Sequence, residues 1–282
     1  MPIAEVRQRA EKGDAPAQAW LGYLYLRGIG VSQDTDTGLL WVRKAADQGA
    51  PGAEWALGHC YQVGLGVKRD EFEAARMFER SAARGFPAAQ YELAMAVARG
   101  DGLPKDDVAA VKWLRKASEQ GFAPAELGLG ERLRNGKGVQ TNEAEAAMWF
   151  RKAAEQGEPG AQIALGIMYL EGRGGLIRDP ARAAKLFELA AESGDISGQS
   201  LLGGMYFKGL GRPRNVIEAY KWLYLAAGQT PTNAFKVDER HRATVMRDEL
   251  EPMMTEAQLK EAKLRASRFT PKYPGQQAEL LY

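Results

Sequence analysis

His59 and Cys60 stand side by side, and with His241 they are all the histidine and cysteine in 282 residues. A thiol beside an imidazole could make a nucleophile or part of a metal site. Neighbours on a helix, however, point about 100° apart, so one metal cannot easily take both. No third group is evident to orient such a pair for nucleophilic attack. The reading that remains is a Cys60 packed between helices and a His59 facing a groove. The glycine pairs raise phosphate chemistry instead. Gly28-Ile29-Gly30 is followed by Val31, Ser32 and Gln33, with no third glycine and a helical pattern upstream, so the dinucleotide fingerprint fails. Around Gly136-Lys137, Glu131 stands where a phosphate loop needs glycine, and Gly138 where it needs Ser or Thr. The pair suits a turn at the end of a helix, because glycine takes positive φ at no steric cost. The carboxylates Asp106-Asp107 are expected in an inter-helix loop with no apolar pocket to raise a pKa. Asp70, Asp106, Asn142 and Asp179 are read as helix caps.

These residues recur because the chain itself recurs. Leu-Gly, once Leu-Ala, returns at Leu21, Leu57, Leu93, Leu129, Leu165 and Leu202, at spacings of 36, 36, 36, 36 and 37. A fixed period of this size marks a stacked repeat array. A tyrosine column (Tyr25, Tyr61, Val97, Leu133, Tyr169, Tyr206) keeps step with it. So does a bulky column of Trp41, Met77, Trp113, Trp149, Leu186 and Trp222. Each unit reads as two helices. Pro16, Pro51, Pro87, Pro124 and Pro159 fall in the first turn of one, and glycines close both. The register of the aromatic columns argues for packing between units rather than a cofactor box. The boundaries read as an array over 1–229 with a leading half-unit at 3–13, capping helices over 230–269, and an irregular tail over 270–282. Thr255 and Gln258 form a capping box at the last helix.

Composition narrows the function classes. The chain is 45% hydrophobic and 26% charged, with a net charge of +2 and both signs interspersed. No basic stripe marks a nucleic-acid surface. No apolar run reaches the roughly 18 residues that span a bilayer. The first dozen residues hold Glu5, Arg7, Arg9, Glu11 and Lys12 and no apolar signal core. That places the chain, as numbered, in the cytoplasm; a signal removed ahead of it would place it in the periplasm. The single cysteine fits a reducing compartment.

The motif A-x-x-x-L-G-x-x-Y-x-x-G-x-G-V, then A-x-x-W-x-x-K-A-A-x-Q-G, resembles the Sel-1-like repeat, a relative of the tetratricopeptide repeat, over residues 3–229. AEWALGHCYQVGLGVKRDEFEAARMFERSAARG is its second copy. Ala94 for glycine, the extra Gly175 and Pro213 for valine depart from the pattern. The resemblance implies an all-α, right-handed α/α superhelical solenoid that serves as a scaffold or adaptor, with the concave wall lined by the first helices. On that wall it places Tyr23, Arg27, Trp55, His59, Gln62, Tyr91, Met95, Arg99, Glu131, Arg134, Asn135, Glu171, Phe207 and Lys208. Their columns vary from unit to unit while neighbouring columns are nearly fixed, so packing leaves them free for recognition. Aromatics, Met and Arg are the types enriched at protein interfaces.

The expected partner is therefore a protein or peptide, with no cofactor, metal or nucleic acid, and the chain a monomer or weak dimer. An immunity or antitoxin-type protein that neutralises its partner is the narrower alternative. An enzyme is disfavoured, because neither an activated nucleophile nor a ligand cluster is present. Single-stranded RNA binding is disfavoured because Glu131 and Glu171 interrupt the arginines.

Overall fold

The computed structural model describes residues 2–230 and 234–272, and every regular element among them is helical. A lone helix, α1 (Ile3–Glu11), precedes six first-helix, second-helix repeats. The first helices are α2 (Ala15–Arg27), α4 (Pro51–Val63), α6 (Pro87–Arg99), α8 (Ala123–Asn135), α10 (Pro159–Glu171) and α12 (Ile196–Lys208). The second helices are α3 (Thr35–Asp47), α5 (Glu71–Ala83), α7 (Asp107–Glu119), α9 (Glu143–Glu155), α11 (Pro180–Glu192) and α13 (Val216–Gly228). Then come α14 (Ala234–Leu250), a 3₁₀ turn over Glu251–Met253, and α15 (Glu256–Ser267). The helices form two compact units, α1 to α8 and α9 to α15. The expected tail lies outside the described residues from 273 onward.

Local chemistry explains each boundary. Second helices start at an Asp or Asn whose side chain accepts from N–H groups of the first turn: Asp34, Asp70, Asp106, Asn142, Asp179 and Asn215. Asp107 is not a loop residue: it opens α7, and its carboxylate accepts from Arg132 Nη1 at 2.7 Å. First helices end on a left-handed glycine, such as Gly136 at φ 68° after α8. Two residues on, Gly138 also has positive φ, and a Cβ there would run into the carbonyl of Asp107 at the start of α7. The glycine pair is thus a turn with two separate demands, a helix stop and a close approach to the neighbouring second helix.

Inside each repeat, small residues set the distance between helices. A Cβ on Gly58 would sit 2.7 Å from the Phe78 ring, so α4 and α5 approach as closely as that phenyl allows. Leu21, Leu129 and Leu202 of the Leu-Gly column are fully buried, as are Phe78, Phe150 and Phe187 of the second helices.

The structure also shows a polar column that the periodicity argument passed over. Buried Gln18 donates to the Ala10 carbonyl at 3.0 Å and accepts from Gln48 at 2.7 Å. Gln90 repeats this with Ala82 and Gln120, and Gln199 with Ala191 and Gln229. In the second repeat Glu54, fully buried, replaces glutamine, and Arg84 replaces the partner. Arg84 Nη1 donates to Glu54 Oε2 at 3.1 Å. Arg80 reaches Oε1 at 2.8 Å as an ion pair without hydrogen-bond alignment. In the fifth repeat Ser193 stands where the partner glutamine belongs and turns to the Ala190 carbonyl, leaving Gln162 Oε1 buried without a partner.

The last helices close unit two. Leu250, Ala243 and Ala262 bury against Tyr220 and Leu223 of α13, and Tyr220 donates to Glu251 at 2.7 Å. Thr255 and Gln258 make the capping box reciprocally.

Candidate protein-interaction face

In the first unit, the variable residues of α2, α4, α6 and α8 all stay exposed or half-exposed, while the intervening columns are buried. Tyr23 stacks on Trp20 with ring centroids 5.3 Å apart. Trp55 packs against His59 at 6.1 Å and against Phe86 at 6.0 Å. Tyr91 meets Phe122 edge-on at 5.8 Å. An aromatic surface therefore runs over α4, α6 and the turns that open α6 and α8.

Polar groups flank it. His59 is exposed at its outer edge, yet the protein around its ring lowers its pKa, and the charge of Arg27 adds to this. Cys60, one residue on, is buried, and burial pushes its thiol up to about 11, which makes it inert as a nucleophile. Glu92 of α6 is raised by burial, against the opposing charge of Arg99 and a hydrogen bond from Gln62. Gln62 and Arg99 also line a cleft of about 330 Å³ with Arg69, Glu71 and Asp101, and Arg99 is held by Asp101 at 2.7 Å. Glu131 of α8 is raised by burial, opposed by Arg134. Met95 is half-exposed and Asn135 exposed beside these groups in sequence.

The remaining three candidates belong to the second unit. Glu171 pairs with Arg173 at 3.1 Å, Phe207 lies 5.7 Å from the Arg214 guanidinium, and Lys208 is exposed. Among the described residues no group of His, Cys, Asp and Glu could hold a metal ion, and no helix is long and apolar enough to cross a membrane.

The Sel1 repeat family model matches residues 15–49, 51–86, 87–122, 123–158, 159–195 and 196–230. The chain belongs to the Sel1 repeat family. Its Sel1 repeats give it the all-α solenoid class of that family, a fold that typically serves protein interaction. Among solved structures it is similar to c5321, a protective antigen of uropathogenic Escherichia coli with an SLR fold. That likeness has 31% identity and a TM-score of 0.74, over 95% of this chain and 56% of that one. The chain thus spans little more than half of the Escherichia coli protein. It is similar also to a Sel1 repeat protein from Oxalobacter formigenes, with 28% identity and a TM-score of 0.72, over 91% and 99% of the two chains. No curated protein matches the chain.

Within these Sel1 repeats the sequence reading missed Phe86 and Phe122. Both occupy the N-cap of a first helix, where Asp14 and Asp195 cap α2 and α12 by accepting backbone N–H groups. Ala50 and Glu158 fill the same position at α4 and α10 and, like the two phenylalanines, make no side-chain cap. Two aromatic side chains in a column that otherwise holds Asp, Ala and Glu were the available signal.

Proposed function

We propose that the protein is a non-catalytic scaffold that holds a protein or peptide on its first-helix face, with the principal contact on α4, α6 and α8. The observation that carries this is the pair of half-exposed aromatic contacts on successive first helices, Trp55 with Phe86 and Tyr91 with Phe122. Rigid aromatic rings give large contact area at small entropic cost, and they dominate interface energetics when flanked by arginine. Arg27, Arg99 and Arg134, with Glu92 and Glu131, supply the mixed polar rim.

The test is affinity capture from native cells with quantitative mass spectrometry. The double variant Tyr91→Ala, Arg99→Glu should lose the partners that the parent retains, while melting falls by no more than a few degrees. Leu40→Ala, an equally apolar exposed change on the second helix α3, should leave capture intact. Identical partner lists from the parent and the double variant would dismiss the assignment.

A further inference from the structure

On the second-helix side, four of the six bulky-column residues carry a cation over their ring. Lys44 lies 4.6 Å from the Trp41 centroid, Lys116 4.2 Å from Trp113, Lys152 4.3 Å from Trp149 and Lys221 4.0 Å from Trp222. The fifth repeat departs from this twice. Where W-x-x-K stands in the first, third and fourth repeats, α11 reads Leu186-Phe187-Glu188-Leu189. A recess of about 350 Å³ lies between α9 and α11 where the indole is missing, floored by Leu165 and Tyr169, with Leu186 and Leu189 on its wall. Leu189 is 51% exposed, which is unusual for a leucine facing such a recess. Its lining carries three cations, Arg151, Arg182 and Lys185, against one acid, Glu155, and Arg182 is also paired with Asp179 at 3.1 Å outside the lining. Arg182 donates to the Tyr169 hydroxyl at 3.4 Å, and that hydrogen bond, with the charges of Arg151 and Arg182, makes the phenol more acidic than usual.

The molecule shows how this side accepts a chain. One repeat further on, Phe269 lies edge-on over Trp222 at 5.4 Å, and Pro271 packs on Gly194. Lys272 donates its backbone N–H to the Glu192 carbonyl at 2.7 Å and its ammonium to the Glu192 carboxylate at 3.2 Å. An extended segment is thus held by an aromatic anchor and a charge opposite to that of the helix beneath it. In the recess the charges that α9 and α11 bring to the lining are mainly positive, and the anchor position is empty of an indole.

We infer that the recess between α9 and α11 docks an extended acidic segment of another protein, one large apolar side chain entering above Leu186 while flanking carboxylates meet Arg151, Arg182 and Lys185. The volume is near the lower end of ligand clefts, roughly 300–1,000 Å³, and suits one such side chain. Tyr169 is the one aromatic side chain of the lining and its ring already faces the Arg182 guanidinium at 5.6 Å, which favours a peptide over stacked bases of single-stranded nucleic acid. This surface is separate from the first-helix face, so the two assignments stand or fall independently.

The probe is a fluorescein-labelled peptide with one tryptophan flanked by glutamates, titrated into the full chain by anisotropy, with a lysine-flanked counterpart as control. The glutamate peptide should bind about tenfold more tightly than its counterpart, with affinity falling as salt rises. Leu186→Trp, which restores the residue that most repeats carry, should weaken binding about tenfold or more without lowering the melting temperature. Leu189→Glu, which sets an acid at a half-exposed position of the wall, should weaken it as well. Arg182→Glu with Lys185→Glu should reverse the peptide preference. Equal binding to parent, Leu186→Trp and Leu189→Glu would overturn the proposal. So would loss of binding in Tyr91→Ala alone, or equal competition by a single-stranded RNA. Binding seen only after removal of residues 273–282 would assign the recess to the chain's own segment and overturn the partner.

Discussion

At the scale of single residues, polar groups under cover are the most informative. The glutamine column is satisfied where its partner is long enough to cross from the next helix, and fails where Ser193 is too short for Gln162. A buried amide oxygen left unpaired costs on the order of 1–3 kcal/mol, and a new hydrogen bond returns roughly 0.5–1.5 kcal/mol of it. Ser193→Gln should therefore raise stability by about 1 kcal/mol in urea denaturation, and an unchanged midpoint would refute the pairing. Glu92 gives a pH-dependent counterpart. Burial raises its pKa in the folded protein above the ordinary carboxylate value, so the folded state binds that proton more tightly than the unfolded chain. The contribution is complete at pH below the unfolded carboxylate range and lost as pH rises through the folded pKa. Glu92→Gln should thus be more stable than the parent at pH 7, with the advantage shrinking toward pH 4. A constant difference across that range would show that burial is not the cause.

At the scale of elements, the Gly-x-Gly corner joins a helix stop to a steric fit. Gly138 has φ 72°, and a Cβ there would collide with Asp107 at the start of α7. Gly121 has φ 80° with nothing within 4 Å of the same atom. Gly121→Ala should cost only the left-handed strain of about 1–2 kcal/mol. Gly138→Ala adds a backbone collision that flexible side chains cannot relieve, so it should cost clearly more in the same denaturation series. Equal losses would mean that φ alone explains the corner. The turn, its positive φ and the helix caps were all legible in the sequence, because each depends on residues within a few positions. The second demand on Gly138 was not, because Asp107 is thirty-one residues away in the chain.

At the scale of the whole molecule, neighbouring helix pairs within each unit pack on one another, so recognition surfaces arise there from side chains carried on successive helices. The charges on those surfaces are mixed, and the net charge is only +2. Single-stranded RNA should accordingly pass unretained over the immobilised protein at physiological salt. Retention with a steep salt dependence would contradict this, since phosphate binding is dominated by released counterions. The aromatic residues of the first-helix face are partly legible in sequence. Trp55 and Tyr91 stand out as variation in a column, whereas Phe86 and Phe122 sit in the turns between helices, outside the columns that the helix period marks.

The sequence by itself determined the repeat, the helix pairs, their caps and turns, and which columns must be buried, because a strict period imposes the same local and nearest-neighbour physics on every unit. The tertiary structure alone decided which free side chains meet: the rings of Trp55 and Phe86, the glutamines thirty residues apart, and the recess left where Leu186 replaces an indole. Those depend on distances between helices, which small residues set jointly and no single position encodes.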